Sequence, residues 1–408
     1  MRSKIFNDPV YGFVTVPTET VFAIVEHPWF QRLRRIQQLG FGSLVYPGAH
    51  HTRFQHALGA LHLMQKALDV LKAKGQVITD DEYEAACIAI LLHDIGHGPY
   101  SHALEKTLVP GIHHEDLSIR IMAALDEELG GRLKLAREIF ENKYSKGFLH
   151  QLVSSQLDVD RLDYLTRDTY FTGVSEGVIG WSRIIDMMDV VDDRLVIEAK
   201  GIYSIEKFII ARRIMYWQVY LHKTVLCTEQ MLTQTLRRAR VLAQQGISLS
   251  CTPALEHMLY RVQGDGNTAS EDFLNHFTKL DDTDIMTGLK VWQHAEDTLL
   301  STLASGLVNR RLFRLELQLE AFSPEKVGKI SDILQEYYDS EDAAEYLMLE
   351  GKTSNSAYSA KVGSIPIHFK DGSVKDVTEA SDQLNLAALS APVVKYYLGY
   401  PKVLASKG

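Results

Sequence analysis

The sequence predicts a mainly α-helical protein with a smaller C-terminal α+β lobe and short β-hairpins. Three observations carry that reading. Two capping boxes, Thr52-Arg-Phe-Gln55 and Thr79-Asp-Asp-Glu82, each open a long apolar segment. Many other stretches repeat apolar residues at threes and fours. Alternation at period two is confined to short runs beside turn residues. At 408 residues the chain exceeds one ordinary core. Helical patterning lapses at residues 244–251, before the N-cap and N1 proline Thr252-Pro253, so the expected division is a body over residues 1–245 and a lobe over 246–408.

In chain order, residues 10–16 read as a short strand or hairpin arm, with Val10, Phe13 and Val16 among the turn residues Asp8, Pro9 and Gly12. From residue 21 the pattern is helical. Phe30, Leu33, Ile36 and Leu39 recur at threes until Gly40, Gly42, Pro47 and Gly48 break the run. The first capping box starts a stripe of Phe54, Ala57, Leu58, Leu61, Met64, Leu68 and Leu71 that stops at Gly75. The second opens a helix to His93 that is apolar almost all round and is therefore expected to be central. Helices are predicted over residues 115–129, 132–143 and 148–168, the last ended by Gly173, then one or two over 203–240. A hairpin is expected over 190–199, around Asp192-Asp193. In the lobe, helices are predicted over 253–262, 270–280, 284–303 and 324–338. A hairpin pairs 364–369 with 373–377 around Lys370-Asp-Gly372.

Composition narrows the function. Hydrophobic residues at 46% and charged residues at 23% describe an ordinary globular chain. No run approaches the ~20 apolar residues of a membrane span. Asp8 and Pro9 stand where a signal peptide carries its apolar run, so a cytoplasmic protein with no membrane partner is expected. A net charge of −9 argues against strong nucleic-acid binding, which rests on neutralising phosphates. The three cysteines, Cys87, Cys227 and Cys251, form no C-x-x-C pair, so a metal here must take nitrogen and oxygen ligands.

Histidines His50, His51, His56, His62, His93, His97, His102, His113 and His114 crowd into one short region. His93-Asp94 ends the central helix, where the turning backbone lets an imidazole and a carboxylate converge on one ion. Arg53 lies three residues before His56 and shares its helix face. Asp160, Tyr164 and Asp168 fall at i, i+4 and i+8, making one face acidic with a phenol at its middle. Such a donor set suits one divalent ion, Mn, Fe, Co, Ni, Mg or Zn, rather than a tetrahedral structural zinc.

The order His56, His93-Asp94, Asp160 in a helical chain resembles the HD-domain metal-dependent phosphohydrolases. Longer motifs sharpen the likeness: Asn7-Asp-Pro-Val-Tyr-Gly12, Phe30-Gln-Arg-Leu-Arg-Arg-Ile-Gln-Gln-Leu-Gly40, Tyr46-Pro-Gly-Ala-His-His-Thr-Arg-Phe-Gln-His56, His93-Asp-Ile-Gly-His-Gly-Pro-Tyr-Ser-His102 and Asp158-Val-Asp-Arg-Leu-Asp-Tyr-Leu-Thr-Arg-Asp168. They resemble the deoxynucleoside triphosphate triphosphohydrolase branch of that family, over residues 7–225.

The resemblance implies an HD-domain helical body whose His56, His93, Asp94 and Asp160 hold the ion. It implies hydrolysis of a dNTP to deoxynucleoside and inorganic triphosphate. His114, followed by Glu115, matches the family's His-Glu pair and would supply the general acid. Arg53 and His97 match phosphate-contacting positions, and His102 a position lining the site. Arg161 stands where relatives carry Lys, and Arg212 falls near a phosphate-binding arginine. Gln38, Leu39, Tyr164 and Asp168 match positions that hold the sugar. Some members are activated by a nucleotide effector at a subunit interface, and Arg310 and Arg314 in Asn309-Arg-Arg-Leu-Phe-Arg314 resemble its phosphate contacts. A homo-oligomer, dimer or tetramer, is implied as well. Two rival readings keep parts of this: an HD phosphohydrolase acting on a guanosine polyphosphate, cyclic or modified nucleotide, and a nucleotide-sensing regulator.

Overall fold

Two capped helices form the centre of the computed structural model, which describes residues 4–109, 111–260, 271–355, 358, 363–382 and 392–404. The helix Arg53–Ala73 begins where the Thr52 amide donates to Gln55 Oε1 at 2.9 Å. The helix Asp80–Leu92 begins where the Thr79 amide donates to Glu82 Oε2 at 2.8 Å and the Glu82 amide returns to Thr79 Oγ1 at 3.2 Å. Both predicted caps are present. Leu61, Met64 and Leu68 of the first helix and Ile88, Leu91 and Leu92 of the second are buried in one core, each worth about 1.5–3 kcal/mol for a fully buried aliphatic side chain. The helix Val159–Thr172 packs against the first of them and ends on Gly173 at φ +73°, as predicted.

The protein is mainly α, with three small sheets among the described residues. The N-terminal hairpin pairs β1 (Lys4–Asp8) with β2 (Gly12–Val16), turning Val14 and Val16 inward. The two predicted later hairpins exist as β3 (Met188–Val191) with β4 (Arg194–Glu198), and β7 (Pro366–His368) with β8 (Val374–Asp376). They join into one sheet through parallel pairing of β4 with β7, Ile197 opposite Ile367. A third, antiparallel sheet in the order β5-β9-β6 (Arg314–Gln318, Val393–Tyr400, Leu349–Asn355) was not expected. Strand β6, Leu-Glu-Gly-Lys-Thr-Ser-Asn, has a single apolar side chain and so lacks a period-two signal.

Several predicted long helices are broken, each by a group that caps a new start. The run from residue 21 divides into Glu19–Glu26 and Pro28–Gln31, because Pro28 takes an N1 position behind the His27 cap. It then tightens into a 3₁₀ turn over Arg32–Arg35. Residues 148–168 divide into Gly147–Val153 and Val159–Thr172, because the Asp158 carboxylate accepts the Ser155 and Arg161 amides at 2.7 Å each. Residues 284–303 divide into Asp282–Trp292 and Thr298–Val308, where Asp297 accepts the Leu300 amide at 2.7 Å. The segment 203–240 holds two helices, Ile202–Met215 and Lys223–Gln244, joined by a π turn at Tyr216–Tyr220. Among the described residues no helix is long and apolar enough to cross a membrane.

Arg32 ties distant segments together. Its guanidinium is fully buried and donates to four backbone carbonyls: Phe277 at 3.2 Å, Leu280 at 3.0 Å, Ile95 at 2.8 Å and His97 at 2.9 Å. Burial lowers its pKa to about 10, so it remains charged at neutral pH. Arg32→Met keeps the length and removes the donors, leaving buried acceptors unmet. We expect a loss of about 3 kcal/mol or more in urea unfolding; a loss below 1 kcal/mol would show that water replaces the guanidinium.

Candidate active site

His56 faces inward from the first turn of Arg53–Ala73, and His93 caps the C-terminus of Asp80–Leu92. Asp94 follows it, and Asp160 lies in the first turn of Val159–Thr172. The donor atoms of His56, His93 and Asp160 lie within 4.8 Å of one another, with Asp94 beside the two histidines. His56 Nε2 lies 3.1 Å from Asp160 Oδ1, 3.3 Å from His93 Nε2 and 3.7 Å from Asp94 Oδ2. His93 Nε2 lies 3.4 Å from both Asp94 Oδ1 and Asp160 Oδ1. Ligands about 2.1 Å from one ion stand about 3.0–3.4 Å apart, so the donor set fits a divalent cation.

The tautomers fit as well. His93 Nδ1–H donates to the Ile90 carbonyl at 2.6 Å and His56 Nδ1–H to Asp163 Oδ2 at 2.7 Å, leaving both Nε2 lone pairs for a metal. Burial works against a charged His56, yet the bonds to Asp160 and Asp163 push its pKa up to about 10, so a bound ion takes the place of the Nε2 proton that those carboxylates favour. Burial also opposes the Asp94 carboxylate, and His93, His97 and Arg53 outweigh it to hold this pKa well below the usual range. The pocket is therefore tuned for positive charge between two ionised carboxylates.

Asp163 is itself held. Arg167 grips it twice, at 2.9 and 3.0 Å, and passes its other nitrogen to Asp8 Oδ2 at 2.7 Å. Asp8 in turn accepts the Val10 and Tyr11 amides of the N-terminal turn. Gly59 makes room for this pair, since a Cβ there would lie 2.0 Å from Asp163 Oδ1 and 2.1 Å from Arg167 Nη2.

Asp94 and Asp160 open onto a cavity of about 440 Å³. Its wall includes Arg53, Arg161, His97 and His114 and also Gln38, Leu39, Tyr164 and Asp168. Arg53 bonds Asp94, and Arg161 lies 3.4 Å from Asp158 and 3.8 Å from Asp160. The Nε atoms of both arginines and Gln38 Oε1 are buried with no hydrogen-bond partner among the described residues. These are donors and an acceptor suited to a polar, anionic ligand.

His97 and His114 stack with ring centroids 3.9 Å apart. Burial, and then the Arg53 charge, push the His97 pKa down to about 3, so that ring is neutral. Burial opposes protonation of His114 too, but its bond to Glu105 at 3.2 Å and the field of Asp94 win and raise its pKa. The expected His114–Glu115 pairing is thus corrected: Glu105 holds the imidazole, and Glu115 is exposed, because adjacent helical residues point to different faces. The loop Ile95–Gly98 lies against the helix His114–Glu128. Gly96 N–H donates to Ser118 Oγ at 3.0 Å, Ser118 Oγ donates to the His93 carbonyl at 2.8 Å, and a Cβ on Gly96 would lie 2.2 Å from the His114 carbonyl.

The remaining expected residues are dispersed. Arg212 stands behind the wall, bonded to Gln156 at 3.0 Å with its guanidinium 6.0 Å from the ring of the cavity residue Tyr216. His102 lies in the helix Ser101–Thr107, and its side chain falls outside the described residues. Arg310 and Arg314 do not share a helix face. Arg310 sits in a left-handed turn and donates to the Leu44 carbonyl, whereas Arg314 belongs to β5 and lines a separate cavity with Lys326 and Lys329. Sequence reasoning passed over Asp163, Arg167, Glu105, His51 and Tyr220. Asp163 and Arg167 have the i,i+4 spacing of a helical ion pair, a readable signal. His51 and Tyr220, which fix Asp168 at 2.7 Å each, come from a loop and a π turn and have none.

The sequence matches the HD domain over residues 53–168 and the HD associated region over residues 179–250. It is 32% identical to the uncharacterized protein YwfO of Bacillus subtilis, over 93% of this chain and 88% of that one. The crystal structure of a phosphohydrolase from Bacteroides thetaiotaomicron superposes with TM-score 0.95 at 50% identity, covering 98% of this chain and 100% of that one. The chain belongs to the HD-domain phosphohydrolase family. Within it, this HD phosphohydrolase resembles the deoxynucleoside triphosphate triphosphohydrolases at family level. It is 33% identical to the SAMHD1 homolog of Dictyostelium discoideum, over 58% of this chain and 49% of that protein. HD domains bind divalent metals, and the cluster of His56, His93 and Asp160 in this HD phosphohydrolase is the matching donor set. Asp163→Asn, which removes the charge orienting His56, should weaken metal binding about 10–100-fold. Equilibrium dialysis of the folded variant checks this, and unchanged affinity would assign Asp163 to stability alone.

Proposed function

We propose that this HD phosphohydrolase cleaves a dNTP to deoxynucleoside and inorganic triphosphate. One observation supports the reading above others: the carboxylates facing the ion site open onto a single cavity whose lining holds both arginines and aromatic and amide side chains. The arginines suit a triphosphate, and the aromatic and amide groups suit a deoxyribose. His56, His93, Asp94 and Asp160 would hold a divalent ion, which when bound would supply Lewis-acid polarisation of the α-phosphate and an oriented water.

The chain's own residues do the rest. Arg53 and Arg161 bind phosphate oxygens through their planar forks. Neutral His97 accepts or donates a hydrogen bond without adding charge. Protonated His114, kept so by Glu105, gives its proton to the departing 5′-oxygen. Tyr164 lies under the sugar and excludes a 2′-hydroxyl by contact, and Gln38 and Asp168 hold the 3′-hydroxyl. Activation by a second nucleotide through Arg310 or Arg314 would require two separate contacts, since the residues stand on different elements.

Incubation of the protein with dNTPs and NTPs, with products separated by ion-pair chromatography, should give deoxynucleoside and intact triphosphate. Monophosphate or diphosphate products would overturn the reaction class. Tyr164→Ala should reduce the dATP-over-ATP ratio in kcat/KM by about 10-fold or more, the scale of one lost steric contact. The pH profile gives an independent check. The rate should fall as pH rises through the raised pKa of His114, and Glu105→Gln should move that alkaline limb to lower pH. A limb unmoved by Glu105→Gln would take the acid role away from His114.

A further inference from the structure

A second group of metal-ligating side chains lies outside the catalytic cavity. His257 belongs to the helix Pro253–Tyr260, and Asp272 and His276 to the next described helix, Glu271–Phe277. Asp272 and His276 have the i,i+4 spacing that sets two ligands on one helix face. The two imidazoles lie parallel within 3°, with ring centroids 3.8 Å apart. The Asp272 carboxylate spans their edges, 3.7 Å from His257 Nε2 and 3.4 Å from His276 Nδ1. One donor atom from each residue falls within 4.8 Å of the others.

We infer that His257, Asp272 and His276 form a second divalent transition-metal site that clips these two helices together. Two imidazoles and a carboxylate are the ligands of borderline ions such as Zn²⁺, Co²⁺ and Ni²⁺, and not of Mg²⁺ or Ca²⁺, which prefer oxygen. Three protein ligands leave a coordination position for water. The two histidines are 27% and 30% exposed and Asp272 69%, so small side-chain rotations can gather the three donors round an ion without disturbing a core. Stacked as they are, the two rings direct their in-plane lone pairs along parallel planes, so binding turns one ring about its Cβ–Cγ bond, which their exposure allows. His276 Nδ1–H donates to the Asp272 carbonyl at 2.8 Å, leaving Nε2 as its ligand atom.

The location ties this site to the catalytic loop. His276 immediately precedes Phe277, whose carbonyl and ring are held by Arg32, with the guanidinium 5.1 Å from the ring centroid. The same guanidinium holds the carbonyls of Ile95 and His97. An ion bound here fixes the helix end on which one side of that clamp rests, and so has a stabilising role rather than a part in the chemistry.

The test counts ions per chain with Zn²⁺ alone, by equilibrium dialysis of the full chain at micromolar ion. Wild-type protein should hold two. His257→Ala, His276→Ala and Asp272→Asn should each hold one, as should His93→Ala, whose remaining ion occupies the new site. Because His93→Ala acts at the other cluster, failure of the new site and failure of the catalytic one are distinguishable. Co²⁺ bound to His93→Ala should show a visible d–d band that disappears when His276→Ala is added, and far-UV circular dichroism verifies that each variant is folded. No ion in His93→Ala, or an ion count unchanged from wild type in both His257→Ala and His276→Ala, overturns the site.

Discussion

A run of buried charge, from His56 through Asp163 and Arg167 to Asp8, is the constraint round which this molecule is arranged. All four side chains are withdrawn from water, and an unpaired ion in such a place costs several kcal/mol. Each therefore needs its neighbour. The strand hairpin at the N-terminus, the helix carrying His56 and the helix carrying Asp160 are joined through this run as well as through apolar contact. Gly59 is part of the same requirement, because no other residue leaves space for the carboxylate and guanidinium to meet against the His56 helix. Orientation of the ion's ligands and closure of the N-terminal hairpin are thus a single problem with a single solution.

Electrostatics also divides the work between two rings of the same kind. His97 and His114 stack closely enough that both cannot hold a proton cheaply. Burial and Arg53 leave the first neutral, and Glu105 favours charge on the second. Neighbouring groups, not residue identity, leave one ring neutral and favour a proton on the other.

Much of the scaffold was readable from pattern. The capping boxes at Thr52 and Thr79, the stop at Gly173 and the turn at Lys370-Asp-Gly372 are local signals, and local chemistry is what a sequence displays. His56, His93, Asp94 and Asp160 were readable because the family likeness places them, and the structure clusters His56, His93 and Asp160 with Asp94 beside them. Other features depended on contacts far along the chain. Arg32 stands in the sequence as one of three arginines, with Arg34 and Arg35, among apolar residues, yet its partners are carbonyls some 245 and 63 residues away. Glu105 was passed over in favour of Glu115 because adjacency in sequence is not adjacency in space. The β5-β9-β6 sheet was missed because its pairing is nonlocal and β6 has almost no apolar side chain to announce it.

Gly96 sets a dimensional tolerance. Because the loop Ile95–Gly98 rests at Gly96 directly on the backbone of the helix His114–Glu128, pinned there by the Ser118 hydroxyl, the separation between His93-Asp94 and His114 is set by peptide groups in contact. Peptide groups have no rotamers, so this gap cannot drift as a side-chain packing can. An engineer who wished to move His114 relative to His93-Asp94 could not do so by repacking. Loop and helix would have to be replaced together, as one rigid part.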